Sequence, residues 1–294
     1  MPDPSDFDNF DPDNIPPDAF IHPDMGDISG GPDPNSIADK TAVMKVKSDT
    51  RGLFLLRGES FGDYNYKGFD KATKYSNNYG YHNPNQFFTT YLSNHENREL
   101  EITYLNNFYT KTDFAPYFCD NNAFQENDVT FTFQKDEKRT YTTYSRGFIP
   151  QTNLDVIDSL SSSVDLSHEE LLYKDFVYNN YLTMPDQFYK DTLVSFLAGE
   201  GIDINLSLNE FDKELMNMFK KGFEYNFKAY SGTQDTVYEF LTNTKVGNCQ
   251  NFASAATLLY RAKGIPARYT TGYFLFNKEP GKTTIVTPRI VVNA

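Results

Sequence analysis

The residues around Cys249 are spaced in a way that suits nucleophilic chemistry. Gly247 permits a sharp turn, Asn248 is a good helix cap, and the 15 residues from Cys249 to Lys263 carry apolar side chains at helical spacing. The pattern predicts that Cys249 lies in the first turn of a helix. Unpaired backbone N–H groups at that position favour a thiolate, which would lower the pKa of the cysteine, and they can also bind the oxyanion formed in acyl transfer.

The spacing alone leaves a second interpretation of Cys249 open. A cysteine at a helix start is, on general grounds, more often a small buried residue than a nucleophile. Cys119, the other cysteine, follows Pro116 in a polar stretch without a basic neighbour that could activate it, so we interpret it as structural. Two cysteines 130 positions apart are no disulfide framework, although a single pair could form in an oxidising compartment.

The elements that must position Cys249 can be predicted from local patterns. Gly264 ends the predicted helix, Pro266 prevents its continuation, and residues 267–276 are predicted to form a strand. Further helices are predicted to begin after Ser167 and to span Asn209–Phe227. Other strands are predicted at Ala42–Lys47, Leu53–Arg57, Glu99–Leu105, Val129–Phe133, Tyr141–Ile149, Lys282–Val286 and Arg289–Val292, with long loops over Gly62–Gln86 and a turn over Asn277–Gly281.

Composition divides the chain into three parts. Residues 1–40 hold ten Asp, one Lys and eight of the fifteen prolines, so they are predicted to be a disordered acidic linker. Residues 41–166 are predicted to be a β-rich domain, and residues 167–294 a domain of helices followed by strands. The predicted fold class is therefore α+β.

Charge and hydropathy exclude several classes of function. The net charge of −13 and the lack of a basic surface exclude DNA and RNA as partners. No apolar run is long enough to span a membrane and no leader follows Met1, so the chain as given is predicted to be soluble. The histidines and cysteines lack ligand spacing, and the acidic run Asp6–Asp13 lacks the Gly and Glu of a calcium loop, so we expect no metal and no cofactor.

One motif extends well beyond the helix start. It consists of Gly247, Cys249, Phe252-Ala253-Ser254-Ala255, Leu259, Arg261, Gly264-Ile265-Pro266-Ala267-Arg268 and Gly272-Tyr273. This motif resembles the active-site helix of the bacterial membrane-anchored transglutaminase-like cysteine enzymes. The likeness is strong over residues 236–276, and looser upstream at Tyr181–Pro185, Phe223–Phe227 and the β-rich region from Val43.

The resemblance implies a papain-like, transglutaminase-like core, here incomplete, in which the helical part and the first strands of the sheet follow the β-rich domain. It implies that Cys249 is the nucleophile of a Cys-His-Asp triad that hydrolyses or transfers protein or peptide amides through a thioester. It also implies an extracytoplasmic or cell-surface location, with any membrane contact made by an anchor of the parent protein. Asn251 stands where the family often has His, and Arg268 either pairs with a carboxylate near the site or is an exposed strand residue.

The sequence has no histidine after Cys249, whereas the family's His and Asp follow the Gly-Tyr pair. We therefore expect a C-terminally truncated chain, nearly inert by itself because the His and Asp lie beyond Ala294. The alternative is a non-catalytic extracellular or cell-envelope binding module of the same fold. A third hypothesis assigns function to residues 41–165 as an independent β-rich binding domain. The sequence does not indicate an oligomeric state.

Overall fold

The computed structural model describes residues 42–71, 98–105, 113–116, 119–120, 124–126, 130–132, 134–145, 168–226, 229, 235–286 and 290–293. The linker predicted for residues 1–40 and residues 72–86 of the predicted loop region lie outside the described residues. Within the described residues the chain combines helices and sheets, which confirms the α+β prediction.

The described elements are numbered here in chain order. The strands are β1 (Met44–Lys47), β2 (Gly52–Tyr64), β3 (Phe69–Lys71), β4 (Arg98–Tyr104), β5 (Ala115–Pro116), β6 (Cys119–Asp120), β7 (Phe124–Glu126), β8 (Thr130–Thr132), β9 (Thr140–Ser145), β10 (Glu224–Tyr225), β11 (Val246–Gly247), β12 (Tyr269–Asn277), β13 (Thr283–Val286) and β14 (Ile290–Asn293). The helices are α1 (His168–Tyr181), α2 (Gln187–Gly199), α3 (Leu208–Gly222), α4 (Thr236–Glu239), which continues as a π-helical turn (Phe240–Thr244), and α5 (Cys249–Lys263).

The first sheet joins strands that are far apart in the sequence. Its order is β14-β12-β2-β3, and β5 also pairs with β2. The β12–β2 pair is antiparallel and runs from Tyr269 opposite Phe61 to Asn277 opposite Gly52. β2 is buried along most of its 13 residues, which is the pattern of a central strand covered on both faces.

The second sheet is also formed by both halves of the chain. Its order is β13-β1-β4-β9-β6, and Met44 of β1 lies opposite Tyr104 of β4 on one side and Val286 of β13 on the other. Alternate residues of β1 are buried, whereas Lys45 and Lys47 are exposed, so one face of this strand is solvated. Both sheets therefore contain strands from either side of residue 166.

Helix α5 lies in the core and packs against α2. The helix buries small and branched side chains on most of its circumference, among them Ala253, Ala255, Leu258 and Leu259. Buried residues of the sheets, such as Phe54, belong to the same apolar cluster. The helix that carries Cys249 is thus held by contacts with the whole fold.

The buried guanidinium of Arg261 connects three segments. It is fully buried, and its Nε donates to the carbonyl of Ala267 at 2.8 Å. Its Nη1 donates to the carbonyl of Gly62 in β2 at 2.7 Å and to that of Thr183, between α1 and α2, at 2.9 Å. The guanidinium also lies 5.5 Å from the ring centroid of Phe69. Arg261 therefore ties α5 to the first sheet.

Most predicted elements of the described chain are confirmed, with shifted ends. The helix predicted over Asn209–Phe227 begins one residue sooner and ends at Gly222, because Phe223 is extended and the chain enters β10. Its start is fixed by a capping box between Ser207 and Glu210. The predicted loop after Gly62 is wrong at its start, because β2 continues to Tyr64 and β3 follows.

Helix α2 was not predicted, although Asp186 caps it by accepting the N–H of Tyr189 at 2.7 Å. Its buried side chains belong to the core that surrounds α5. None of the helices in the described part of the chain is both long and apolar enough to cross a membrane.

Candidate active site

The start of α5 is fixed by two asparagines. Asn248, the cap residue, accepts the N–H groups of Gln250 at 2.9 Å and Asn251 at 3.3 Å through its side-chain oxygen. The side chain of Asn251 in turn accepts the N–H of Asn248 at 3.0 Å. The predicted helix start at Cys249 and the cap at Asn248 are confirmed. Asn251 stands where the transglutaminase-like family that the sequence resembles often has His, and here it fixes the start of α5.

Gly247 is required for a different reason from the one predicted. Its φ is not positive, so a left-handed turn does not explain it. A Cβ at this position would lie 2.6 Å from the ring of Phe240 and 2.7 Å from the Cβ of Asn251. Gly247 thus allows β11 to approach the π-helical turn and the helix cap closely. By contrast, Gly264 ends α5 in the left-handed conformation as predicted, with φ of 99°.

The approach to Cys249 runs through the π-helical turn and β11. The turn ends at Lys245, a non-glycine residue with a positive φ of 49°, whose N–H donates to the carbonyl of Phe240 at 3.0 Å. The side chain of Lys245 forms an ion pair with Glu200 at 2.9 Å. The chain then pairs in parallel with β10, which brings Tyr225 opposite Gly247. These contacts direct the chain into the helix start.

A cluster of aromatic rings supports this region. Phe252, one turn after Cys249, lies 4.9 Å from the ring centroid of Phe240 and 5.4 Å from that of Phe219. Phe223 lies 5.1 Å from Phe240. The two pairs that include Phe252 pack edge to face and the Phe223–Phe240 pair is tilted, so the helix start rests on a packed apolar base.

The Cys249 sulfur is a free thiol with a raised pKa. Burial raises the pKa to about 11, and the N–H groups of Gln250 and Cys249 and the hydroxyl of Tyr225 oppose this increase. The Gln250 N–H also donates to Asn248, so the sulfur receives only a share of it. The predicted direction of the pKa change is therefore wrong for this structure. The helix dipole contributes about 0.3–1 kcal/mol, less than one pKa unit, and desolvation exceeds it.

Buried polar atoms near the sulfur lack hydrogen bonds of normal geometry. They include both side-chain polar atoms of Gln250 and the hydroxyl of Tyr269, and the two residues are at most 1% exposed. The Gln250 side chain nevertheless lies close enough to the Tyr269 hydroxyl to oppose the rise of its pKa. Ser254, one turn after Gln250 on the same helix, has an unpaired buried hydroxyl as well. Burial raises the pKa of the Tyr269 hydroxyl, and the neighbouring Cys249 adds to the effect. These groups provide unused hydrogen-bonding capacity beside the thiol.

The other residues singled out in the sequence lie away from the sulfur or outside the described side chains. The guanidinium of Arg268 lies 4.9 Å from the ring centroid of Tyr181, an arrangement typical of a cation–π contact. Cys119 begins β6 and His168 begins α1. The described residues contain no group of three or more His, Cys, Asp or Glu side chains that could hold a metal ion.

Sequence reasoning missed Tyr225 as a site residue. The segment from Phe223 to Phe227 resembles a family motif, and the prediction placed it at the end of a helix. The period-two alternation of aromatic residues at 223, 225 and 227 was the signal for a strand. The strand brings Tyr225 to Cys249, whereas a continuing helix would not.

Comparison with known proteins identifies the domain that holds this site. Residues 203–288 match the family model of the transglutaminase-like superfamily, so the chain contains a transglutaminase-like domain. The uncharacterized protein YebA of Bacillus subtilis (strain 168) is 52% identical over 40 residues, which is 14% of this chain. That match spans 5% of the length of YebA.

The fold as a whole resembles a solved structure. The periplasmic domain of TgpA from Pseudomonas aeruginosa matches with a TM-score of 0.52 and 14% identity, over 85% of this chain and 88% of that one. The same domain bound to ethylmercury matches with a TM-score of 0.49 and 14% identity, over 85% and 90% of the two chains. The first match shows that the two chains share a fold over most of their lengths.

Proposed function

We propose that Cys249 is the nucleophile of an enzyme that hydrolyses or transfers protein or peptide amides through a thioester. The observation that carries the proposal is the free thiol at the first residue of α5, in a transglutaminase-like domain, with backbone N–H groups and a tyrosine hydroxyl directed at the sulfur. These donors stabilise negative charge on the sulfur and can serve the oxyanion of the attacked carbonyl.

The raised pKa determines what else the reaction requires. With a pKa of about 11, roughly one thiol in 10⁴ is a thiolate at pH 7. A general base must therefore take the proton before the sulfur attacks the amide carbon, and an acid must protonate the departing amine. By the resemblance these tasks belong to an imidazole held by a carboxylate, and no histidine follows Cys249 in this sequence.

The acyl group then passes from the thioester to water or to an amine. The proposal covers both acceptors, because water and an amine attack the same electrophile, the thioester carbonyl. We further propose an extracytoplasmic location, which is supported by the description of the matched TgpA domain as periplasmic. In that setting exposed protein or peptide amides are the substrates, and the membrane is contacted only through an anchor elsewhere in the parent protein.

Two features favour a second candidate function. The raised pKa leaves the Cys249 thiol largely protonated at neutral pH, and the sequence has no histidine after Cys249. A non-catalytic binding module of the same fold would tolerate both features, because it needs a shaped surface and no thiolate. The two candidates differ in whether activity depends on the sulfur.

The test uses the complete gene product, purified with all sequence that its gene encodes. Casein serves as the acyl donor and a fluorescent primary amine as the acceptor, and both amine incorporation and peptide hydrolysis are measured. We expect Cys249→Ser to lower the rate by at least about 10³-fold, because the nucleophile is lost. Equal rates for the wild type and Cys249→Ser, or no turnover together with binding of casein, would favour the binding module.

A further inference from the structure

The pairing of β10 with β11 places Tyr225 beside the proposed nucleophile. β10 pairs with β11 so that Glu224 donates its N–H to Lys245 at 2.8 Å and Asn226 donates to Gly247 at 2.8 Å. Tyr225 lies between these two bonds and opposite Gly247, two residues before Cys249. The backbone therefore fixes where this side chain begins.

The ring of Tyr225 is held independently of the hydroxyl. Its centroid lies 6.2 Å from that of Phe252, which is one helical turn after Cys249. The residue is 48% exposed, so it borders solvent on one side and the sulfur on the other. The ring packs on the aromatic cluster, and the hydroxyl lies close enough to the thiol and to the backbone N–H of Cys249 that each residue shifts the pKa of the other.

We propose that Tyr225 is a catalytic residue whose hydroxyl donates a hydrogen bond to the Cys249 sulfur and stabilises the thiolate. The inference rests on the proposed function of Cys249 and adds a second side chain to it. Burial and the adjacent sulfur raise the pKa of Tyr225, so the phenol stays protonated and remains a donor wherever the thiol titrates. Tyr269 of β12, which is fully buried, is a further titratable side chain near the sulfur, and Cys249 adds to the rise of its pKa.

Replacement of Tyr225 by Phe isolates this hydrogen bond, because the ring and its contact with Phe252 remain. A hydrogen bond to a charged group is worth about one pKa unit at a half-exposed site, so the thiolate fraction falls about 10-fold in Tyr225→Phe. A less stabilised thiolate is about 3-fold more nucleophilic, since nucleophilicity follows the pKa with a coefficient of about 0.4–0.5. The net expectation is a 3- to 4-fold slower reaction below the pKa.

The experiment measures alkylation of Cys249 by iodoacetamide in the folded chain between about pH 7 and pH 9, with peptide mass spectrometry as the readout. Cys119 serves as an internal reference thiol in every sample. Tyr238→Phe is the matched control, because Tyr238 is 41% exposed and belongs to the neighbouring helix α4. Circular dichroism establishes that each variant is folded.

A 3- to 4-fold slower alkylation in Tyr225→Phe at every pH, with no change in Tyr238→Phe, supports the proposal. Equal or faster alkylation in Tyr225→Phe overturns it, because the tyrosine would then only pack or shield. If wild-type Cys249 does not react at all while Cys119 does, the sulfur is inaccessible, and the role of Tyr225 and the proposed function both fail. If the wild type reacts and only the Tyr225→Phe effect is missing, the proposed function stands.

Discussion

Replacement of Arg261 by Met tests whether the buried guanidinium holds α5 on the first sheet. Met keeps the length of the side chain but removes the donors to the carbonyls of Ala267, Gly62 and Thr183. Three hydrogen bonds from a charged donor contribute about 4.5–9 kcal/mol at about 1.5–3 kcal/mol each. Two of the three bonds are only partly buried, so the lower part of this range applies.

Burial of the charge offsets part of that contribution. Desolvation lowers the pKa of Arg261 to about 10, and a fall of this size corresponds to about 3 kcal/mol that the charged form loses on folding. The difference predicts that Arg261→Met lowers the free energy of unfolding by about 2–4 kcal/mol. Since globular domains are stable by about 5–15 kcal/mol, such a loss is readily measured.

The measurement is urea unfolding followed by far-ultraviolet circular dichroism, with the free energy taken from the midpoint and slope. Arg268→Met is the control, because Arg268 is only partly buried and its contact with the Tyr181 ring is worth about 0.5–1 kcal/mol. A loss below about 0.5 kcal/mol in Arg261→Met, or an equal loss in both variants, would refute the reasoning. Water would then satisfy the carbonyls as well as the guanidinium does.

Three further predictions concern the site and its support. Gly247→Ala should destabilise the fold by about 1–3 kcal/mol in thermal or urea unfolding, because the new Cβ would lie 2.6 Å from the Phe240 ring. The control Gly222→Ala should be close to neutral, because a Cβ at that position would meet open space. Similar effects of both substitutions would contradict the packing argument. Gln250→Met removes two buried polar atoms that lack hydrogen bonds of normal geometry and should raise the free energy of unfolding by about 1–2 kcal/mol; a loss of stability would mean that the Tyr269 hydroxyl satisfies the amide. Burial raises the pKa of Asp235, so the contribution of this residue to stability is fully present below its unfolded-state pKa and is lost as the pH rises through its folded-state pKa. The free energy of unfolding of the wild type relative to Asp235→Asn should therefore fall between pH 4 and pH 7. A rise over this range would mean that the pKa is lowered on folding.

The helix that carries Cys249 was predictable because its signals are local. Asn248, Gly264 and the apolar spacing between them lie within one segment, and each acts through the backbone of its own helix. The start of α5 at Cys249 and its end at Lys263 agree with the prediction. A resemblance in the same segment identified the transglutaminase-like domain, which the family model confirms.

The features that were missed depend on residues distant in the sequence. The pairing of β12 with β2 joins segments about 200 positions apart, and no local pattern specifies such a register. The raised pKa of Cys249 arises from burial by other elements, whereas the sequence revealed only the helix dipole. Gly247 and Tyr225 owe their roles to contacts across the fold, so their residue types were visible but their neighbours were not.

The shared first sheet has a consequence for synthesis on the ribosome. β2 emerges early, and its partner β12 follows about 200 residues afterwards, which at about 5–20 residues per second is a delay of about 10–40 s. During that interval the edge of β2 that pairs with β12 has no native neighbour and can bind other nascent chains. The helix that carries Cys249 therefore cannot reach its final environment until translation has passed Asn277, and chaperones that cover strand edges should raise the yield of folded protein.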